Sequence, residues 1–513
     1  MANLYLFLAG AVLIGGYWLV NFLRRLRLRG PPSPSFVFGH ARKIMASRSP
    51  ADLYDEWARE YGAVFCVRGP FGAERFVLCD PKAIAHVLAL DSWKYRHSPI
   101  AIKQLSLLTG PTSLLSTLGE AHNRQRKILN PVFAPRAVRA YSACMYDSAY
   151  KVFAAWEAQL QSSSEEEIIV DISEWMNNVS FDIIGLAAFS HEFKSLDGEP
   201  SAVSAALTAL GHSKPSPNVA KILLLSQAYP FLLRLPLPRS VHIHNLSTAM
   251  DAVIEGLIRK SSQHGENPSS ALGVLLNAKE LSADQVRVHG KSILLAGFAT
   301  TSSSIKWALV ELAIHVQKQI RLREELASFT KDPSYDELNN LPYLDAVVRE
   351  TLRLHPVLSD ATRVALEDDI IPLARPIQTA RGTLIDKLPV KKGTMVTTSF
   401  LYTNLSKTIW GSDAAEFKPE RWLNDLQGVP EFAKEFPGYH HALAFLDGPR
   451  TCLGKGFALA EMKIVLSLLV RKFFFSQKNG EDTKYEKAFF LGSHPKVVGE
   501  LGGQLPMRVK RVE

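Results

Sequence analysis

The side chain best placed to do chemistry is the thiol of Cys452, within Phe445-Leu446-Asp447-Gly448-Pro449-Arg450-Thr451-Cys452-Leu453-Gly454. A helix is expected directly after this loop. The sulfur then lies at the helix's positive end among unpaired backbone N–H groups, which favour thiolate over thiol. A thiolate so placed can ligate a metal. Gly448 and Gly454 allow tight turns and close approach of the backbone to a flat cofactor, and Arg450 can neutralise an acidic group on its rim. A single cysteine in a Gly-Pro turn is more often simply buried, and only the flanking pattern argues otherwise.

Other residues need context before they mean anything. Glu350 and Arg353 put a carboxylate and a guanidinium on one helix face, where an exposed pair contributes only about 0.2–0.5 kcal/mol. Glu56 and Arg59 show the same spacing by chance. Thr300 has the bland reading of a helix threonine bonding back to its own turn. Cys66, Cys79 and Cys144 sit in apolar stretches without zinc spacing and read as small core residues.

The elements that must position these groups are mostly helical. Ser282 and Gln285 form a capping box that opens a long helix through Leu294, Leu295, Ile305 and Leu309. A second helix runs from near Pro342 to Leu354, stopped by His355-Pro356, and a third from about Phe457 to Phe473. Strand character is confined to Ala63 to Arg68 with Phe76 to Leu78, the Thr383 to Thr398 region, and the tail near Val497. No G-x-G-x-x-G follows a strand, and Gly290-Lys291-Ser292 lacks the upstream glycine of a phosphate loop, so reducing power must come from elsewhere.

The 513 residues carry a net charge of +9, but the basic residues are spread along the chain, which argues against a nucleic-acid partner. The exception is Arg24, Arg25, Arg27 and Arg29, directly after an apolar run from Leu4 to Phe22. That run is long enough to span a membrane as a helix, and the arginines hold its carboxyl side in the cytosol. Asn21-Phe22-Leu23-Arg24 offers no signal-peptide cleavage site. Residues 1–29 are therefore expected to be a membrane anchor, Gly30-Pro31-Pro32-Ser33-Pro34 a stiff separator, and residues 30–513 a single large catalytic domain. In a cytosol-facing domain the sequons at Asn178, Asn245 and Asn404 go unused.

The run F-x-x-G-x-R-x-C-x-G from Phe445 to Gly454 resembles the haem-binding signature of the cytochrome P-450 family at every defining position. Leu446 departs from the small residue common there. Phe417-Lys418-Pro419-Glu420-Arg421-Trp422 looks like the family's F-x-P-E-R-W segment, whose arginine joins the E-x-x-R pair, so Glu350, Arg353 and Arg421 are implied to form a buried structural network. Ala296-Gly297-Phe298-Ala299-Thr300-Thr301 resembles the oxygen-activation segment, in which small residues open a kink and Thr300 relays protons. Ala299 stands where an acid is usual, so protons must arrive through ordered water, another side chain or a substrate hydroxyl.

The resemblance spans the chain and implies a mainly α fold with a smaller β region, preceded by one transmembrane helix. It implies haem b (iron protoporphyrin IX) with Cys452 as the metal ligand and Phe445 beside it, while His122, Arg126, Arg363 and Arg450 contact the propionates. Thiolate ligation pushes electron density onto the iron and favours O–O cleavage. The expected reaction is monooxygenation of a lipophilic small molecule, terpenoids and other secondary metabolites being among the candidate classes because the chain looks most like fungal microsomal members. Electrons would come from NADPH through a separate flavoprotein reductase, with cytochrome b5 as an optional second donor, at the cytosolic face of the endoplasmic reticulum membrane. Two rivals stand beside this: a P-450-fold isomerase or dehydratase needing no external electrons, and a non-catalytic membrane haem sensor.

Overall fold

A computed structural model describes residues 27–512, apart from 48, 200, 213–218, 220, 223–224, 227–228, 230, 233–234, 236–237, 265–266 and 490–491. The expected anchor helix lies outside the described residues. The helices that organise the remainder are α1 (Pro50–Tyr61), α2 (Pro81–Ala89), α3 (Pro99–Thr109), α4 (Gly119–Leu129), α5 (Pro135–Ser162) and α6 (Ile172–Phe189). After these come α7 (Pro238–His264), α8 (Ala283–Ile314), α9 (Val316–Leu326), α10 (Pro342–Leu354) and α11 (Lys455–Lys472).

Local chemistry explains where the helices begin. Ser282 accepts a hydrogen bond from Gln285 N, and the Gln285 side chain accepts one from Ser282 N, so α8 starts on the expected capping box. Asp80 caps α2 through Ala83 N, and Pro342 opens α10 where its missing N–H costs nothing. Buried residues run almost all round α8, which marks it as the core helix of a globule. Its length and apolar content would also let it cross a membrane, but 78% of its most apolar stretch is buried inside the protein.

One β layer is a five-stranded sheet ordered β1 (Val64–Arg68), β2 (Glu74–Leu78), β8 (Met395–Ser399), β5 (Asp360–Ala365) and β3 (Tyr95–His97). Its β2–β8 pair is parallel and the rest antiparallel, and no βαβ dinucleotide unit forms among the described residues. The expected strand near Thr383 to Thr398 is two strands, β7 (Leu384–Val390) and β8, of which β7 pairs only with β6 (Asp369–Gln378). A three-stranded sheet joins β4 (Glu167–Asp171) to β12 (Pro506–Arg511) and β9 (Phe473–Gln477), and β10 (Tyr485–Phe489) pairs with β11 (Ser493–Val497). Sequence reading missed β3, β4, β5, β6, β9, β10 and β12, because strands stabilised by partners elsewhere in the chain leave little local periodicity.

Two apolar cores meet around α10. The larger packs α5, α6, α8 and α11 around Trp156, Phe473 and Phe475, and the smaller backs the five-stranded sheet with Trp57, Phe65 and Trp410. Between them Glu350 accepts hydrogen bonds from Arg353 Nε at 2.9 Å, Arg421 Nε at 3.0 Å, Trp422 Nε1 at 2.9 Å and Lys418 N at 3.0 Å. Burial pushes the Glu350 carboxyl up, but Arg353 and Arg421 outweigh it and hold it below its ordinary value. The implied three-member network is present, whereas Glu56 and Arg59 are both exposed. Cys66 and Cys79 are core residues as expected, and Cys144 is only partly buried. Asn404 is fully buried and its Oδ1 accepts from Leu443 N at 2.9 Å, so that sequon is structural.

Candidate active site

The Cys452 loop is built from its own backbone. Asp447 Oδ1 accepts from Gly448 N at 2.7 Å, Thr451 N donates to Gly448 O at 3.0 Å, and Cys452 N donates to Phe445 O at 2.9 Å. Gly448 has φ +68°, and a Cβ there would fall 2.2 Å from Leu88 O, so glycine is required both for conformation and for the approach of α2. Leu446 also has a positive φ, 58°, which accounts for the small residue usual at this position: a left-handed backbone is adopted most cheaply without a bulky side chain.

Cys452 precedes the Gly454 N-cap of α11 as expected, but its ionisation does not follow from that position alone. The sulfur is not covered by protein atoms, yet it lies deep enough that burial pushes the thiol up, outweighing the lowering by the Gly454 N–H, Arg126 and Lys455. The Gly454 N–H acts in the expected direction, and burial opposes it. Desolvation is a property of the whole enclosure, and the helix end is a local effect within it.

The four expected basic contacts come together. His122 and Arg126 lie one turn apart on α4, Arg363 is on β5, and Arg450 is in the cysteine loop. Burial lowers Arg126, and Cys452 is close enough to oppose that shift. Arg450 is pushed down to about 10, mainly by burial. His122 is driven down to about 4 by burial and by Arg450 and Arg126, so it is neutral at pH 7.

Sequence reasoning missed Asp91. It is fully buried, its Oδ2 accepts from Arg363 Nε at 2.8 Å, and its Oδ1 stands 3.4 Å from Arg450 Nε without a hydrogen bond. His97 was also missed; the β3–β5 register sets it opposite Arg363. Neither carries a motif, and only the long-range pairing finds them.

These residues fit a haem. Three guanidinium groups, on Arg126, Arg363 and Arg450, lie together, and the Asp91 carboxylate pairs with two of them, Arg363 and Arg450, which leaves positive charge for two propionates. Arg450 Nε is buried and makes no hydrogen bond, with only the Asp91 carboxylate 3.4 Å away, so its donor is left for an acceptor that the chain does not supply. Among the described residues no group of three or more His, Cys, Asp or Glu could hold a bare metal ion, so a lone thiol suits an iron that brings its other ligands with it.

On α8, the Thr300 hydroxyl donates to Ala296 O at 2.7 Å, and Thr301 donates to Gly297 O at 3.1 Å. The helix continues unbroken through this segment instead of opening. Gly297 serves close packing there, since a Cβ would fall 2.6 Å from the Ile184 side chain on α6. The back-bonded Thr300 can accept a proton as it stands and can donate one only after its hydroxyl rotates.

A mainly helical fold that holds one loop thiol beneath a ring of cations defines a haem-protein architecture. The chain belongs to the cytochrome P450 family, whose model it matches over residues 29–498, and it is a haem-dependent oxidoreductase. It is 40% identical to cytochrome P450 monooxygenase claW of Ampulloclitocybe clavipes, over 98% of this chain and 97% of that protein. It is 41% identical to claP of the same fungus over 96% and 95%, and 34% identical to cytochrome P450 monooxygenase 205 of Postia placenta over 94% and 92%.

Proposed function

We propose that Cys452 ligates the haem iron and that the protein inserts one oxygen atom of O2 into a lipophilic small molecule, the other leaving as water. The observation that carries this reading is the Cys452 thiol, pinned through its backbone to Phe445 and lying near Arg126, which in turn adjoins Arg450 and Arg363. Bound haem supplies oxygen activation. The arginines orient it by its carboxylates, and Thr300 holds or passes a proton at Oγ1. Electrons come from NADPH through a separate reductase, with cytochrome b5 as a second donor. Residues 1–29 anchor residues 30–513 at the cytosolic face of the endoplasmic reticulum. Secondary metabolites such as terpenoids are the proposed substrate class, supported by relatives from two fungi.

Carbon monoxide binding to the reduced protein tests the ligand. The expected result is the red-shifted absorption of sulfur ligation, lost in Cys452→Ser; its presence in that variant, or absence from the parent, would overturn the assignment. Ala299 favours one rival, an isomerase or dehydratase, because no acid precedes Thr300. Turnover of a lipophilic panel by microsomes with and without NADPH separates the two, since only the monooxygenase requires it.

A further inference from the structure

The face of α8 next to Thr300 borders a polar cavity of about 510 Å³. Ala299, Ser303 and Lys306 line it from α8, Asn177 from α6 and His494 from β11. Ala299 is one residue from Thr300, about 100° round the helix, and Lys306 lies two turns beyond Ala299 on the same face. A methyl group therefore stands where a carboxylate would otherwise separate this cavity from Thr300.

Lys306 is an unusual group to find there. Its side chain is buried, and its amine donates to Asn177 Oδ1 at 2.7 Å, with no carboxylate within ion-pair distance among the described residues. Ser302 Oγ also lies on Asn177 Oδ1, at 3.1 Å, and reaches Ala299 O at 3.2 Å. Lys306 and Ser302 thus meet on Asn177 Oδ1, and the single Ser302 hydroxyl proton goes either there or to the carbonyl of Ala299, the residue before Thr300. The facing ionisable groups are Asp171 and Glu174 from the α6 side, Glu199 from the segment after α6, and His494 from β11.

We propose that Lys306 is the proton-relay residue that replaces the missing acid of α8, feeding protons to Thr300 Oγ1 through water in this cavity. The proposal rests on the monooxygenase reading above. The ammonium of Lys306 releases one proton to the water chain, Thr300 Oγ1 takes one from its other end while its own hydroxyl proton passes on to the haem side, and solvent at the cavity mouth returns one to the amine. No electrons move. Burial lowers Lys306 to about 7, so both forms are populated at neutral pH, which a relay requires. A solvated lysine would hold its proton too tightly to serve.

The test compares the holoenzyme with Lys306→Arg, which keeps the charge but does not release a proton, and with Lys306→Met. Both should keep the carbon monoxide absorption of the parent. Product per NADPH should fall roughly tenfold, short of the about 10²-fold of a direct general acid because water still delivers some protons. Peroxide should rise to match, the solvent isotope effect should increase, and Ala299→Asp in the Lys306→Met background should restore coupling. Independently of turnover, 13C NMR of lysine Cε should show one resonance, absent from Lys306→Arg, that titrates between about pH 6 and 8. If either substitution destroys the fold, the other and the NMR titration decide. Unchanged coupling and isotope effect in Lys306→Arg, or a Lys306 resonance charged throughout that range, overturns the relay alone. A parent that consumes no NADPH overturns the monooxygenase reading and the relay with it.

Discussion

Asp91 shows how one side chain sets the character of its surroundings. It holds Arg363 by hydrogen bonds and Arg450 by charge, so two buried guanidinium groups share one anion on the protein side of the site. Asp91→Asn leaves both without it, and urea denaturation of the haem-loaded protein should show a loss of about 3 to 5 kcal/mol, the cost of breaking a buried pair from one side. Thr300 is a different case, because its hydroxyl already has a partner in Ala296 O. Thr300→Ala should therefore leave stability nearly unchanged while raising peroxide release per NADPH; unaltered coupling would remove Thr300 from the reaction.

Helix α10 matters through what it fixes in place. Glu350 ties it to the Lys418 to Trp422 segment, and Arg353 extends the tie to Asn404 O and Ala414 O, each at 2.7 Å. Glu350→Ala strands two buried arginines and should abolish accumulation of haem-loaded protein, read from the carbon monoxide spectrum of expressing cells. Glu56→Gln removes an exposed carboxylate with the same spacing to an arginine and should change stability by no more than about 0.5 kcal/mol. The contrast is between a buried network and a solvated surface, which spacing does not distinguish. Gly448→Ala should likewise prevent assembly of the cysteine loop, since its Cβ has no room beside Leu88 O.

Across the whole molecule, burial tunes several titrations in one direction. His289, His440 and His494 are each driven down to about 4, chiefly by desolvation. Above pH 6.5 these imidazoles are neutral in both folded and unfolded chains; as pH falls from there towards 4 the unfolded chain takes up protons first, and stability is lost. Glu461 works the other way. Burial raises its carboxyl to about 8, so the folded chain holds a proton that the unfolded chain sheds above about 4.5, and acidification in that window favours folding. With His122, four histidines outweigh one glutamate, so the melting temperature should fall between about pH 6.5 and 4, and more steeply in Glu461→Gln. A flat profile there would mean that these histidines are solvated.

Interactions short along the chain are legible in the order of the residues. The capping box of α8, the proline at the start of α10 and the turns of the Cys452 loop depend on neighbours a few residues away, so the sequence alone determined where those elements begin. The Phe445 to Gly454 pattern likewise determined the family. Only tertiary structure decided that Asp91 meets Arg363, 272 residues away, and that Ala299 opens on a polar cavity with a buried lysine. It also decided that burial outweighs the helix end at Cys452. Charge pairing at long range and desolvation depend on how the whole chain encloses a group, and neither is a property of the residues beside it.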